Sequence, residues 1–167
     1  MPALDKRVMA VALLWLVILL GIIAFKQYTI ATGTEVLLKT RPVDPRDFFR
    51  GDYVALRYDI NDLNFDSISG LELLYGETVY VTLAKSDKYY NSVSVSRERP
   101  NEGVFIKGKV QSSYENSAGV LYGIEDYFIE EGTGANLTSG SFDVLVSVDD
   151  YGNSVVRQLF VDGQSFK

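Results

Sequence analysis

The sequence contains no cysteine and no histidine. The first absence removes any disulfide framework and any thiol nucleophile. The second excludes histidine-based triads and the Cys/His zinc signatures. No cofactor is expected. Proline is scarce too, at 4 residues, yet Pro42 and Pro45 fall in one short stretch. Positive charge is in deficit. Beyond residue 25 the chain carries 14 basic and 21 acidic side chains, a net charge of −7, because only Asp5, Lys6 and Arg7 precede that point. Such a surface repels polyanions, so nucleic acid is not an expected partner.

Charge is missing altogether from residues 8–25, VMAVALLWLVILLGIIAF, between Lys6–Arg7 and Lys26. As a helix this run spans roughly 27 Å, close to the hydrocarbon thickness of a bilayer. A soluble core helix has no need to be apolar all round. The expected organisation is a cytoplasmic N-terminus at 1–7, a transmembrane anchor at 8–25, a linker at 26–34 and an extracytoplasmic domain at 35–167. Lys6 and Arg7 favour the cytoplasmic side, which places the remainder outward, periplasmic or extracellular. A cleaved signal peptide competes, with a cut after Ala31. Lys26, Gln27 and Tyr28 make a poor approach to that cut, so a retained single-pass anchor in the cell membrane is preferred. The membrane is thus the first expected partner.

The rest reads as short β-branched and aromatic runs separated by Gly, Asn and Asp. Strands are expected at 35–40, 53–60, 78–84, 91–97, 103–110, 119–129, 142–149 and 154–161, with loops at 61–76 and 131–141. Alternation is clearest at Phe142, Val144, Val146 and Val148; Leu145 interrupts it, which suggests a partly covered second face. DDYGN at 149–153 reads as a hairpin turn with positive φ at Gly152 or Asn153. The fold class is mostly β: an antiparallel barrel or sandwich of about eight short strands behind one N-terminal transmembrane helix.

PVDPRDFFRGDYVALRYDI at 42–60 is the densest stretch. Asp44 and Pro45 have the form of a helix N-cap and first turn. Gly51 would close that turn in a left-handed conformation. In the strand that follows, Val54, Leu56, Tyr58 and Ile60 share the expected core face, and Tyr53, Ala55, Arg57 and Asp59 the other. Arg41, Arg46, Arg50 and Arg57 suit an anion or carboxylate clamp. The plainer alternative pairs them with the interleaved Asp44, Asp47, Asp52 and Asp59, contacts that contribute about 0–1 kcal/mol each when exposed.

GIEDYFIEEGTG at 123–134 is the second dense block. Its Glu125 and Glu131 suit either contacts with those arginines or paired acid–base work; a polar strand face is the bland alternative. Asp59, Asn61, Asp62, Asn64 and Asp66 lack the glycine of a calcium loop, so a solvated loop is expected there. Several tyrosines, among them Tyr75, Tyr80, Tyr89, Tyr90, Tyr114 and Tyr122, suit a groove or ordinary packing.

GDYVALRY at 51–58, with the apolar N-terminal run, RPVDPRDFFRGDY, VYVTL, GIEDYFIEEGTG and the closing VDG, resembles the bacterial GDYXXLXY protein family. The resemblance covers most of the chain and implies a membrane-anchored bacterial protein without assigned catalytic residues. Glu130 stands where proline is expected. The layout of proline, Gly-Asp and strand after an anchor is also similar to type I signal peptidases. The nucleophile position there falls on Pro42, which predicts no Ser–Lys protease.

Together these readings favour a non-catalytic binding or accessory module for an envelope or membrane component, with a multi-span membrane protein as one candidate partner. The candidate binding residues are Arg46, Arg50, Asp52, Tyr53, Arg57, Glu125 and Glu131. The alternative is an envelope hydrolase acting on glycan or peptide through Asp52, Glu125 and Glu131.

Overall fold

A computed structural model of the chain describes residues 6–41, 53–64, 73–114, 117–128 and 142–166; at positions 53 and 54 it describes the backbone only. The apolar run forms a helix, α1 (Lys6–Thr32), long and apolar enough to cross a membrane. The side chains of its uncharged stretch stand roughly half exposed on all sides, Trp15 at 67%, a surface suited to lipid rather than water. Residues 26–32, expected to be linker, continue the helix. The reason is tertiary: Thr29, near its end, is buried and contacts the β-domain.

The β-domain consists of two antiparallel sheets, one of them curled into a half-barrel. The first sheet contains β1 (Thr34–Arg41), β3 (Arg57–Tyr58), β10 (Phe142–Val148), β11 (Ser154–Val161) and β12 (Gln164–Phe166), in the order β12-β11-β10-β1-β3. The second contains β4 (Asp62–Asn64), β5 (Thr78–Ser86), β6 (Tyr89–Ser96), β7 (Val104–Tyr114) and β8 (Ser117–Leu121), in the order β4-β8-β7-β5-β6. A short ladder joins β2 (Tyr53–Ala55) to β9 (Asp126–Phe128).

One core lies between the sheets. Val36, Leu38, Val144, Val146 and Leu159 from the first face Val79, Val81, Ile106, Val110 and Val120 from the second. The alternation at 142–148 is present, and its other face is covered as Leu145 suggested. Asp143 receives Tyr89 and Lys88, and Ser147 is buried beneath the end of α1. Gly152, not Asn153, takes the positive φ of the 149–153 turn.

Three expected elements differ. The strand at 53–60 is broken at Leu56 and ends in a 3-10 turn, Asp59–Asn61, because the chain changes sheets there. The run at 119–129 is two strands, β8 and β9, interrupted at 122–125. Residues 62–64, expected to be loop, pair with β8, and β12 was not foreseen. The turn expected at 44–51 and the loop at 131–141 lie outside the described residues.

β8 and the residue after it leave no room for a side chain at Gly108 of β7. A Cβ there would stand 2.4 Å from Val120 Cγ1 and 2.9 Å from the Leu121 carbonyl oxygen. Gly108→Ala should therefore destabilise the domain by about 1–3 kcal/mol, read as a lowered Tm. An unchanged Tm would show that the two strands can separate freely.

Candidate functional site

The site is built where the signature stretch crosses between sheets. Tyr53, Val54 and Ala55 pair with Phe128, Tyr127 and Asp126. Leu56 then donates its N–H to the Glu125 carbonyl at 2.6 Å. Arg57 and Tyr58 pair instead with Arg41 and Thr40 of β1. Leu56, Tyr58 and Ile60 point into the core, as alternation predicts, and Arg57 points out.

Buried polar groups fix this crossing. The Tyr58 hydroxyl donates to the Ile124 carbonyl at 2.7 Å, and the Tyr122 hydroxyl donates to the Ile60 carbonyl at 2.6 Å. Burial first, and then the neighbouring Glu125 charge, pushes both phenols far above the ordinary tyrosine range, with Asp62 adding to the effect at Tyr122. Both therefore remain neutral donors. Asn61, 6% exposed, accepts the Tyr58 N–H and donates to the Val120 carbonyl and to Glu125. It is a buried connector, not part of a solvated loop.

Glu125 is the hub. Its carboxylate accepts the backbone N–H groups of Tyr122 (2.7 Å), Gly123 (2.8 Å) and Ile124 (3.0 Å) and the Asn61 amide at 3.0 Å. Gly123 at φ 77 lets the turn curl around it. Glu125 makes no ion pair with Arg57, although both line a concavity of about 300 Å³ together with Leu56, Asp62, Gln111 and Leu121. A wider concavity of about 530 Å³ adjoins it, lined by Tyr75, Lys107, Lys109, Gln111, Leu121 and Tyr122. Gln111 and Leu121 line both, so the two adjoin as a groove along β7 and β8.

At the groove's end the arginines are paired. Arg41 reaches Asp59 at 2.7 Å and Asp62 at 3.0 Å, and Arg57 grips both oxygens of Asp62 at 2.9 and 3.0 Å. These pairs are largely exposed, so they add little stability but hold Arg57 at the rim. Among the described residues there is no group of three acidic or other side chains placed to hold a metal.

The structure thus brings Arg57 and Glu125 to one concavity. Tyr53 reaches the adjoining ladder through its backbone. Arg46, Arg50, Asp52 and Glu131 lie outside the described residues, as does Pro42. The tyrosines do not share a groove. Tyr75 and Tyr122 line it, while Tyr80 meets Phe105 and Tyr89 bonds Asp143. Sequence reading passed over Gln111, Leu121 and the lysines, and set Asn61 in a solvated loop although it is buried. Alternation in IKGKVQ was the available signal, since it sets Lys107, Lys109 and Gln111 on one face.

Comparison with curated proteins and with solved structures finds no match. The family model described as GDYXXLXY protein matches residues 15–159, from within α1 to β11. The two capital positions of its second half, Leu56 and Tyr58, are the core side chains of the sheet crossing. The chain belongs to the GDYXXLXY family.

Proposed function

We propose that the chain is a single-pass, membrane-anchored bacterial envelope protein whose β-domain, held outside the cytoplasm by α1, is a non-catalytic docking module for another membrane or envelope component. The observation that carries this reading is the saturation of Glu125. A general acid or base needs a free lone pair aimed at substrate, whereas this carboxylate spends itself on three backbone donors and one amide. The groove beside it offers exposed apolar surface at Leu121 and Tyr75 with cations at Lys107 and Lys109. That mixture suits a peptide segment carrying apolar and acidic side chains.

Two measurements test this. Glu125→Gln turns an amide NH₂ toward backbone donors and should cost about 1.5–3 kcal/mol, yet at a temperature where it is folded it should complement a deletion fully. A folded but inactive Glu125→Gln would restore the hydrolase reading. A photocrosslinker at Leu121 should give one discrete membrane-protein adduct, weakened by Lys109→Glu. An adduct pattern insensitive to that change would count against the groove as the docking surface.

A further inference from the structure

We propose that the corner where α1 leaves the β-domain, formed by the 149–153 turn and Arg99, rests in the headgroup layer of the bilayer and holds a zwitterionic phospholipid, with its phosphate on Arg99 and its ammonium beside Glu102 and Asp150. The inference rests on the reading of α1 as a membrane anchor. It goes beyond that reading because it fixes which face of the domain meets lipid.

Distance along the helix sets the depth of the corner. The uncharged run ends at Phe25, and Thr29 lies one turn further, about 6 Å along the axis. Thr29 donates its hydroxyl to Asp149 at 3.0 Å. The 149–153 turn is therefore within about one helical turn of the hydrocarbon edge, while the headgroup layer is roughly 5–8 Å deep on each side.

The junction also cannot swing freely. The Thr29 carbonyl accepts both the Gly33 N–H at 3.0 Å and the Ser147 hydroxyl at 2.7 Å. A Cβ at Gly33 would stand 2.5 Å from Ser147 Oγ, so helix end and sheet are in close contact.

The chemistry of the corner fits that depth. Tyr28 and Tyr151 are 57% and 60% exposed, and amphipathic rings of this type favour the membrane interface. The Arg99 guanidinium stands 4.7 Å from the centroid of the Tyr151 ring. It makes no ion pair with a described residue, in contrast to Arg41, Arg57, Arg97 and Arg157. Arg99, Glu102, Asp149 and Asp150 line one concavity of about 220 Å³. Of these carboxylates Asp149 is committed to its own turn, which leaves Glu102 and Asp150 beside the single cation. Both signs in one pocket favour a zwitterionic headgroup over a purely anionic one.

The test uses the full chain reconstituted in phosphatidylcholine vesicles. Trp15 is the one tryptophan, so mid-chain brominated lipid should quench the intrinsic emission. Absence of that quenching would defeat the anchor reading itself. Because the chain has no cysteine, Asn101→Cys can carry a single fluorophore in the corner. Asp87→Cys serves as the control: the neighbouring Lys88 and Tyr89 reach Asp143, roughly 20 Å along β10 from the turn. Headgroup-spin-labelled lipid should quench the label at 101 at least about twofold more than the label at 87. Arg99→Gln should abolish about half of that excess, Arg99→Lys should retain most of it, and pure phosphatidylglycerol vesicles should weaken it. With Trp15 quenched, equal quenching at 101 and 87, or indifference to Arg99→Gln, would overturn the proposal. Stronger quenching in phosphatidylglycerol would overturn the choice of a zwitterionic lipid.

Discussion

Tyr58→Ala is expected to cost about 3–5 kcal/mol, the usual range for deleting a buried aromatic ring. That is a large share of the about 5–15 kcal/mol that holds a typical domain together. Tyr58 is completely buried, and its ring lies where the chain passes from the β2–β9 ladder to β1. Tyr58→Phe isolates the hydroxyl. It keeps the ring but strands the Ile124 carbonyl, which now accepts at 2.7 Å, for about 1–3 kcal/mol. Urea unfolding of the full chain in mild detergent should rank wild type, Tyr58→Phe and Tyr58→Ala in falling order. The phenol stays neutral at all working pH values, so the gap between wild type and Tyr58→Phe should not change between pH 6 and about 9. If Tyr58→Phe matched Tyr58→Ala, the ring would not be a packing element and the signature would need another explanation.

Asp149→Ala should have the next largest effect, about 2–3 kcal/mol, because it removes a charged acceptor from several donors at once. The carboxylate accepts the N–H groups of Tyr151 and Asn153, both at 2.9 Å, the Asn153 amide and the Thr29 hydroxyl. Burial by itself would raise its pKa. The Asn153 side chain and backbone, the Tyr151 N–H and Thr29 outweigh burial and hold it below the ordinary carboxylate range. The sign of the pH dependence follows. A folded pKa below the unfolded value of about 3.9 gives stability that is present above about pH 4 and lost as pH falls through the folded pKa. Tm measured from pH 6 downward should therefore fall less steeply for Asp149→Asn than for wild type below about pH 4. Equal slopes would show that the carboxylate has no net preference for its charged form.

Both variants act at contacts between distant parts of the chain, and this separates what was legible from what was not. The strand at 78–84 could be read because burial on one face imposes a period of two on neighbouring residues. The core face of Leu56, Tyr58 and Ile60 was readable for the same reason, as was the hairpin turn at 149–153. The break at Leu56 was not. Nothing local to VALRY distinguishes a continuous strand from one that exchanges partners, since the exchange depends on where β1 and β9 lie.

Glu125 shows the same limit in the site. In the sequence it is an acidic residue in a dense block, suited to a contact with the arginines, to acid–base chemistry or to a polar strand face. Its role is decided by donors: three N–H groups that converge only when residues 122–124 curl back, and the Asn61 amide brought from another sheet crossing.

By itself the sequence determined the apolar helix, the mostly β class, the family and the exclusion of thiol and imidazole chemistry, because composition and short-range periodicity are properties of adjacent residues. Only the tertiary structure decided that Glu125 is a fastener, that Arg57 is paired with Asp62, and that α1 is clamped to the domain through Thr29 and Asp149. Thr29 with Asp149 and Asn61 with Glu125 are bonds between groups far apart in the chain, and the nearer pairs, Arg57 with Asp62 and Glu125 with residues 122–124, form only once the turns between them have closed.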